Sequence, residues 1–206
     1  VTLEELLKSR DARVERQREL LTDHPGMTLL CLTVQLPGPV KRNGISLKIA
    51  KAGVEAVHSS FAPLFEEQRD LETGFEAFFI VDLSPMDAKR LACLIEDTHP
   101  LGRLMDLDVI LLEGSVLGSS DASLRSAPPL ASLRSAPVPP LTLPRVACSS
   151  LAEALPSRVY PLGREELGLP SRQCLICGRP VRECMRARTH TTEELLAKIS
   201  EIVENY

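Results

Sequence analysis

Two aspartates, Asp106 and Asp108, stand two residues apart in the stretch LGRLMDLDVILLE (101–113). The apolar run around them reads as a strand, in which residues i and i+2 share a face. Both carboxylates therefore aim the same way, while Leu107 turns into the core. Mg²⁺ takes oxygen ligands and is commonly held by one or two carboxylates against substrate phosphates. The pair is thus a candidate metal anchor for phosphoryl transfer. Arg103, in the turn containing Gly102 just ahead of the strand, fits a phosphate clamp at the same end. A strand that merely starts with acidic residues gives the same spacing, because D-x-D is short and common. An acidic pair after a glycine turn resembles nucleotidyltransferase sites, though on its own it is a weak signature.

A second group is Cys174-x2-Cys177-x6-Cys184-x5-His190. Three thiolates and an imidazole can close a tetrahedral Zn²⁺ site. The second half is more widely spaced than in familiar fingers, so a metal-free cluster of buried residues is the competing reading. Around it runs a third group, Arg172, Arg179, Arg182, Arg186 and Arg188. Residues 158–190 hold seven Arg against three Glu in a chain of net charge −4. Such a surface is either solvated or a dock for an acidic partner. The loop Pro37–Gly44 adds adjacent cations, Lys41 and Arg42, stiffened by two prolines at the end of an apolar strand. That arrangement suits phosphate binding as well as an ordinary turn. Arg10 and Arg13, three residues apart on a helix, either join an ion-paired face or meet a ligand together. The chain has no G-x-S-x-G elbow, P-loop or dinucleotide fingerprint, and His24, His58, His99 and His190 lack a triad context. Hydrolase and NAD-enzyme readings lose weight accordingly.

These groups must be held by something. At 206 residues, 44% apolar and 25% charged, the chain can bury one substantial core. Net acidity argues against general nucleic-acid binding. No run approaches the ~20 apolar residues that span a bilayer, and the N-terminal residues are charged without an apolar signal core, so a cytoplasmic protein is expected. Thr2 can cap a first helix carrying Leu3, Leu6, Leu7, Val14 and Leu21 on one face. His24-Pro25-Gly26 ends it. MTLLCLTVQL (27–36) reads as a buried strand, Ile45–Phe61 as a helix, Phe65–Leu71 as either helical tail or strand, and AFFIVD (77–82) as a strand. Ser84-Pro85 starts a helix to about Thr98, and the aspartate strand follows over about Leu104–Leu112. Thr191 or Thr192 caps a closing amphipathic helix.

The order of elements indicates the α/β (α+β) class, a mixed sheet covered by helices with a nucleotidyltransferase-like site. Three parts are expected: an α/β core over 1–113, a low-complexity insertion over 114–158, and a Cys/Arg-rich segment with its helix over 159–206. The insertion carries ASLRSAP at 122–128 and again at 131–137. Ser and Pro dominate it, and it offers little apolar area to offset ordering entropy, so disorder is expected there. Cysteines clustered in a cytosolic chain favour metal or packing over disulfides. Cys31 and Cys93 sit in apolar contexts and Cys148 in a loop-like one.

Taken in order, SRDARVERQ, QLPGPVKRN, TGFEAFFIVD, HPLGRLMDLDV and LGLPSRQCLICGRPVRECMRARTH resemble the citrate lyase holo-acyl carrier protein synthases, the apo-citrate lyase phosphoribosyl-dephospho-CoA transferases. The resemblance covers about 1–113 and 163–206. It implies transfer of the phosphoribosyl-dephospho-CoA group from 2′-(5″-triphosphoribosyl)-3′-dephospho-CoA to a serine of the apo acyl carrier subunit of citrate lyase, with release of pyrophosphate. It further implies Asp106 and Asp108 as Mg²⁺ ligands, with Arg103, Lys41 and Arg42 on the triphosphate. The Arg179–Arg188 surface would face the acyl carrier protein. The family pattern joins the strand to LGLP by a short link, where this chain has about 45 residues. A looped-out insertion costs little, since closure entropy grows by about 0.6 kcal/mol per doubling of length. The competing expectations are a non-enzymatic zinc-binding or carrier-interaction module and a nucleotidyltransferase with another acceptor.

Overall fold

The computed structural model describes residues 1–34, 36–113 and 158–206. The expected insertion over 114–158, with Cys148 and both ASLRSAP copies, lies outside the described residues except for Arg158. Helix α1 (Leu3–Asp23) starts in a capping box in which Thr2 and Glu5 satisfy each other's backbone N–H groups. Strand β1 (Thr28–Val34), helix α2 (Gly44–Phe61), strands β2 (Phe65–Leu71) and β3 (Gly74–Val81), helix α3 (Pro85–Thr98) and strand β4 (Asp106–Leu112) follow. Ser84 caps α3 by accepting from the Asp87 N–H at 3.2 Å, and Pro85 opens its first turn, as expected. The ambiguous Phe65–Leu71 is a strand. Beyond the expected elements come a three-residue strand β5 (Val159–Pro161) and a short helix α4 (Val181–Ala187). Helix α5 (Thr192–Glu204) closes the chain from a Thr191 capping box.

The strand order is β2-β3-β1-β4-β5, and each of its four pairings is antiparallel. The expected mixed sheet is therefore corrected to an antiparallel one among the described residues. The reason is topological. The crossovers through α2 and α3 each skip a position, so that a hairpin strand or β1 itself fills the gap between strands of like direction. This is the split β-α-β arrangement.

Alternation along the strands sorts the side chains into two layers. Leu30, Leu32, Phe79, Val81, Leu107 and Val109 join Ile49 and Val57 of α2 and Ala88 and Ala92 of α3 in the main core. Leu29, Cys31, Phe78, Ile80 and Ile110 form a smaller cluster with Leu20 of α1 on the opposite face. Ile199 and Val203 of α5 complete the main core, and Lys48 Nζ donates to the Val203 carbonyl at 2.8 Å. Because Leu107 and Val109 face α2 and α3, the even-numbered Asp106 and Asp108 face the α1 side. No described helix is long and apolar enough to cross a membrane.

Between α3 and β4, residues Gly102–Leu104 make one 3-10 turn. A Cβ placed on Gly102 would stand 2.4 Å from the Ile95 carbonyl oxygen and 2.7 Å from that of Glu96. The turn can press against the end of α3 only because Gly102 lacks a side chain. Gly102→Ala forces backbone to move, and overpacking of that kind costs about 1–3 kcal/mol. A lowered urea midpoint at unchanged slope is the expected result; an unchanged midpoint would show that the turn relaxes freely.

Candidate active site

The site is built along the edge of β4. Strand β5 covers only Ile110–Leu112, so the edge is open at Leu107, and unpaired strand groups need partners. Helix α3 supplies them. The Glu96 carboxylate accepts from the Leu107 N–H at 2.9 Å, and Lys89 Nζ donates to the Leu107 carbonyl at 3.1 Å. Lys89 and Glu96 are seven residues apart, two turns of one helix face, and both are buried. Lys89 Nζ also lies 3.4 Å from Asp108 Oδ1.

Glu96 gathers two arginines from the C-terminal segment. Arg164 Nη1 donates to Glu96 Oε2 at 3.0 Å, and Arg172 pairs with Glu96 Oε1. Arg172 reaches further, with Nη1 3.3 Å from Asp106 Oδ1 and Nη2 donating to the Met105 carbonyl at 3.1 Å. The segment beyond residue 158 thus returns a cation to the carboxylates.

Asp106 and Asp108 line two adjoining cavities. One of about 230 Å³ runs along the strand edge past Lys89, Glu96 and Arg172. The other, of about 560 Å³, lies between the sheet and α1 and is lined by Arg10, Arg13, Gln17, Thr33, Arg103 and Arg172 with both aspartates. Arg10, Arg13 and Gln17 recur at the spacing of one helix face. The expected ion-paired face of α1 is present as Arg16–Glu19 and Arg18–Glu15, but Arg10 and Arg13 turn toward the cleft. Leu3, Leu7 and Val14, expected on the apolar stripe, are exposed. Arg13 Nη1 stands 3.8 Å from Glu76, whereas Arg10 makes no ion pair among the described residues. Arg103 donates to the Gln173 carbonyl, and burial together with Arg172 lowers its pKa.

The two aspartates feel one another. Burial, then the charge of Asp106, raise the Asp108 carboxyl above its ordinary value, and the Lys89 ammonium pulls the other way. Each carboxylate has one cation within reach, Arg172 beside Asp106 and Lys89 beside Asp108, and the pair still repel one another. Cys31, on the same face, is held protonated by burial, its thiol pushed up to about 12, and is no nucleophile.

Not every expected residue joins the cleft. Lys41 Nζ donates to the Leu36 carbonyl at 2.6 Å, and Arg42 makes paired bonds to Asp70 at 2.9 and 2.8 Å with Glu72 nearby. Neither lines the two carboxylate cavities, and neither does Gly102. Conversely, Lys89, Glu96 and Arg164 carry no motif. The one sequence signal for Lys89 and Glu96 is a charge at two positions inside the stripe that α3 otherwise buries with Ala88, Ala92, Cys93 and Ile95, and Arg164 has none.

The Cys/His group converges separately. Donor atoms of Cys174, Cys177, Cys184 and His190 all lie within 4.8 Å of one another. Hydrogen bonding from Arg179 holds the exposed Cys177 thiol down at about 5, while burial pushes Cys184 up to about 11.

The family model for apo-citrate lyase phosphoribosyl-dephospho-CoA transferase matches residues 1–126 and 155–206. The chain belongs to that family. It is 31% identical over 212 residues, all of this chain and 93% of the relative, to a probable apo-citrate lyase phosphoribosyl-dephospho-CoA transferase of Vibrio cholerae. A probable member from Streptococcus pyogenes is 27% identical over 209 residues, all of this chain and 87% of the relative. Protein CitXG of Haemophilus influenzae is 28% identical over 211 residues, and this chain covers 36% of its length. The matched residues include the whole aspartate cleft and the whole Cys/His group. The unmatched stretch between them contains the second ASLRSAP copy, so the family pattern and the duplication part company at the same place.

Proposed function

We propose that the protein transfers the phosphoribosyl-dephospho-CoA group from 2′-(5″-triphosphoribosyl)-3′-dephospho-CoA to a serine of the apo acyl carrier subunit of citrate lyase. Family membership supports the substrates. The observation that carries the chemistry is the pair Asp106/Asp108 at the floor of a cavity walled by Arg10, Arg13, Arg103 and Arg172. A triphosphate is an extended polyanion, and four arginines from three separate segments offer it forked donors along its length. The acceptor serine Oγ attacks the α phosphorus. An oxygen–phosphorus bond forms there, the bond to the α–β bridging oxygen breaks, pyrophosphate departs, and the serine proton is released to water. Mg²⁺ held by Asp106 and Asp108 would neutralise charge on the phosphate oxygens. Arg172 fixes Asp106, and Lys89 fixes Asp108, so the carboxylates are oriented before substrate arrives. Arg103 and Arg10 bind and align the leaving pyrophosphate.

The acceptor needs its own surface. Arg179, Arg186 and Arg188 are exposed, as is Met185 at 71%, and these cations suit an acidic carrier protein.

Apo carrier subunit incubated with the triphosphoribosyl precursor, Mg²⁺ and the protein gains the mass of the phosphoribosyl-dephospho-CoA group; no adduct under these conditions rejects the reading. Arg10→Ala raises KM for the donor roughly tenfold or more, the worth of a charge-assisted contact. Arg42→Ala leaves KM unchanged and alters stability by less than about 1 kcal/mol, as befits a half-exposed pair with Asp70. A larger KM effect at Arg42 than at Arg10 would move the triphosphate to the Pro37–Gly44 loop.

A further inference from the structure

We infer that Cys174, Cys177, Cys184 and His190 bind one zinc ion in a closed, structural site that fastens the C-terminal segment beside the aspartate cleft. Four donors from three local structures meet at one point. Cys174 and Cys177 bracket a tight turn in which the Gly178 N–H donates to the Cys174 carbonyl at 3.3 Å and the Cys174 N–H to the Arg179 carbonyl at 2.6 Å. Gly178 takes a left-handed backbone at φ +70°, which a glycine adopts freely. Cys184 comes from the first turn of α4, and His190 from the link between α4 and the Thr191 cap of α5.

The spacing matches the ion. Zinc–sulfur bonds of about 2.3 Å in a tetrahedron place sulfurs roughly 3.8 Å apart. Cys177 and Cys184 Sγ are 3.4 Å apart, and the whole donor set falls within 4.8 Å. The thiols are free rather than paired. The imidazole supplies an independent sign: His190 Nε2 is buried and has no hydrogen-bond partner, and it is the one such side-chain atom among the described residues. Buried polar nitrogens are almost always satisfied, and a metal at the centre of the cluster satisfies this one. Three sulfurs and a nitrogen fill all four positions, leaving none for water or substrate, which makes the site structural rather than catalytic.

Its location gives it a task. Arg172 lies two residues before Cys174, and its carbonyl accepts from the Val181 N–H at 2.9 Å, across the loop that the metal closes. Gln173, which receives Arg103, pairs with Pro180 in the same loop. Closing the loop therefore presets Arg172 against Asp106 and Glu96 and holds the Gln173 carbonyl that receives Arg103; the value of this for catalysis rests on the transferase reading, whereas the metal site itself does not.

The test is metal content of the intact protein purified under reducing conditions without chelator. One zinc per chain is expected. Cobalt exchanged into the site gives the intense visible bands of a tetrahedral ion and thiolate charge transfer in the near ultraviolet. Cys177→Ser and Cys184→Ser each weaken binding by more than the roughly 10–100-fold that loss of an outer partner costs. Stripping the ion raises hydrogen exchange in residues 172–190 while the β1 and β3 amides stay protected. Substoichiometric zinc with no cobalt spectrum overturns the inference, as does an octahedral cobalt spectrum. None of these readings uses substrate, so the inference can fail while the transferase stands, and the reverse.

Discussion

Replacing Asp106 and Asp108 together by Asn should lower transfer to the apo carrier subunit by about a thousandfold or more, with the fold intact. Asn keeps the shape of each side chain and removes the charge that would hold Mg²⁺ on the phosphates. Metal stabilisation of a transferring phosphoryl group is worth several kcal/mol, and each 1.36 kcal/mol is a factor of ten in rate. Asp106 is exposed and Asp108 only partly covered, and neither belongs to the apolar core. Asp108 is moreover held above its ordinary pKa by burial and by Asp106, so the neutral amide relieves a repulsion. Lys89 loses its carboxylate partner but keeps the Leu107 carbonyl. The loss should therefore appear in kcat, well beyond what any lowering of the thermal midpoint through the buried Lys89, left without its carboxylate, accounts for. A doubly substituted protein that transfers at the parent rate would remove the carboxylates from the mechanism; a fall in activity that tracks a fall in the midpoint would make them structural.

Glu96→Ala is expected to cost about 3–5 kcal/mol of stability, the penalty for removing one partner of a buried ion pair. Glu96 is 2% exposed and serves three groups at once, the Leu107 N–H, Arg164 and Arg172. Its loss strands a strand-edge N–H and leaves two arginines without their shared anion. The effect reaches the site because Arg172 is the bridge from Glu96 to Asp106. Glu96→Gln separates the two roles. The amide oxygen still accepts from Leu107, so most of the stability should return, while the weaker hold on Arg172 leaves KM for the donor raised. Equal recovery of stability and KM in the Gln variant would show that Glu96 supports the fold alone. A urea midpoint in Glu96→Ala equal to that of the parent would show that water replaces the carboxylate at the edge of β4.

Several parts of this molecule follow from local rules. Thr2, Ser84 and Thr191 cap helices because a short side-chain oxygen followed by an acidic residue three positions on satisfies backbone donors wherever it occurs. The strands around Leu29–Val34 and Phe75–Val81 follow from runs too apolar to be left in water. That Asp106 and Asp108 share a face is likewise a matter of period two. The antiparallel pairing was not legible, because direction depends on which strands a crossover skips, and no residue type records that. Nor was the short β5, three residues long with half-buried side chains at its first two positions.

The amino-acid sequence by itself determined the family, the helix caps, the common face of the two aspartates and the grouping of Cys174, Cys177, Cys184 and His190, since each depends on residue type and near spacing. Only the tertiary structure decided which cations meet the aspartates. It lined the cavities beside them with Arg10, Arg13, Arg103, Arg172 and Lys89, of which Arg172 and Lys89 pair with the carboxylates, while Leu36 and Asp70 engage Lys41 and Arg42. It also set Glu96 between two arginines more than sixty residues away in the chain. Charged side chains are long and find partners through space, so their pairing is fixed by how the sheet edge, α3 and the C-terminal segment pack together and not by their neighbours in sequence.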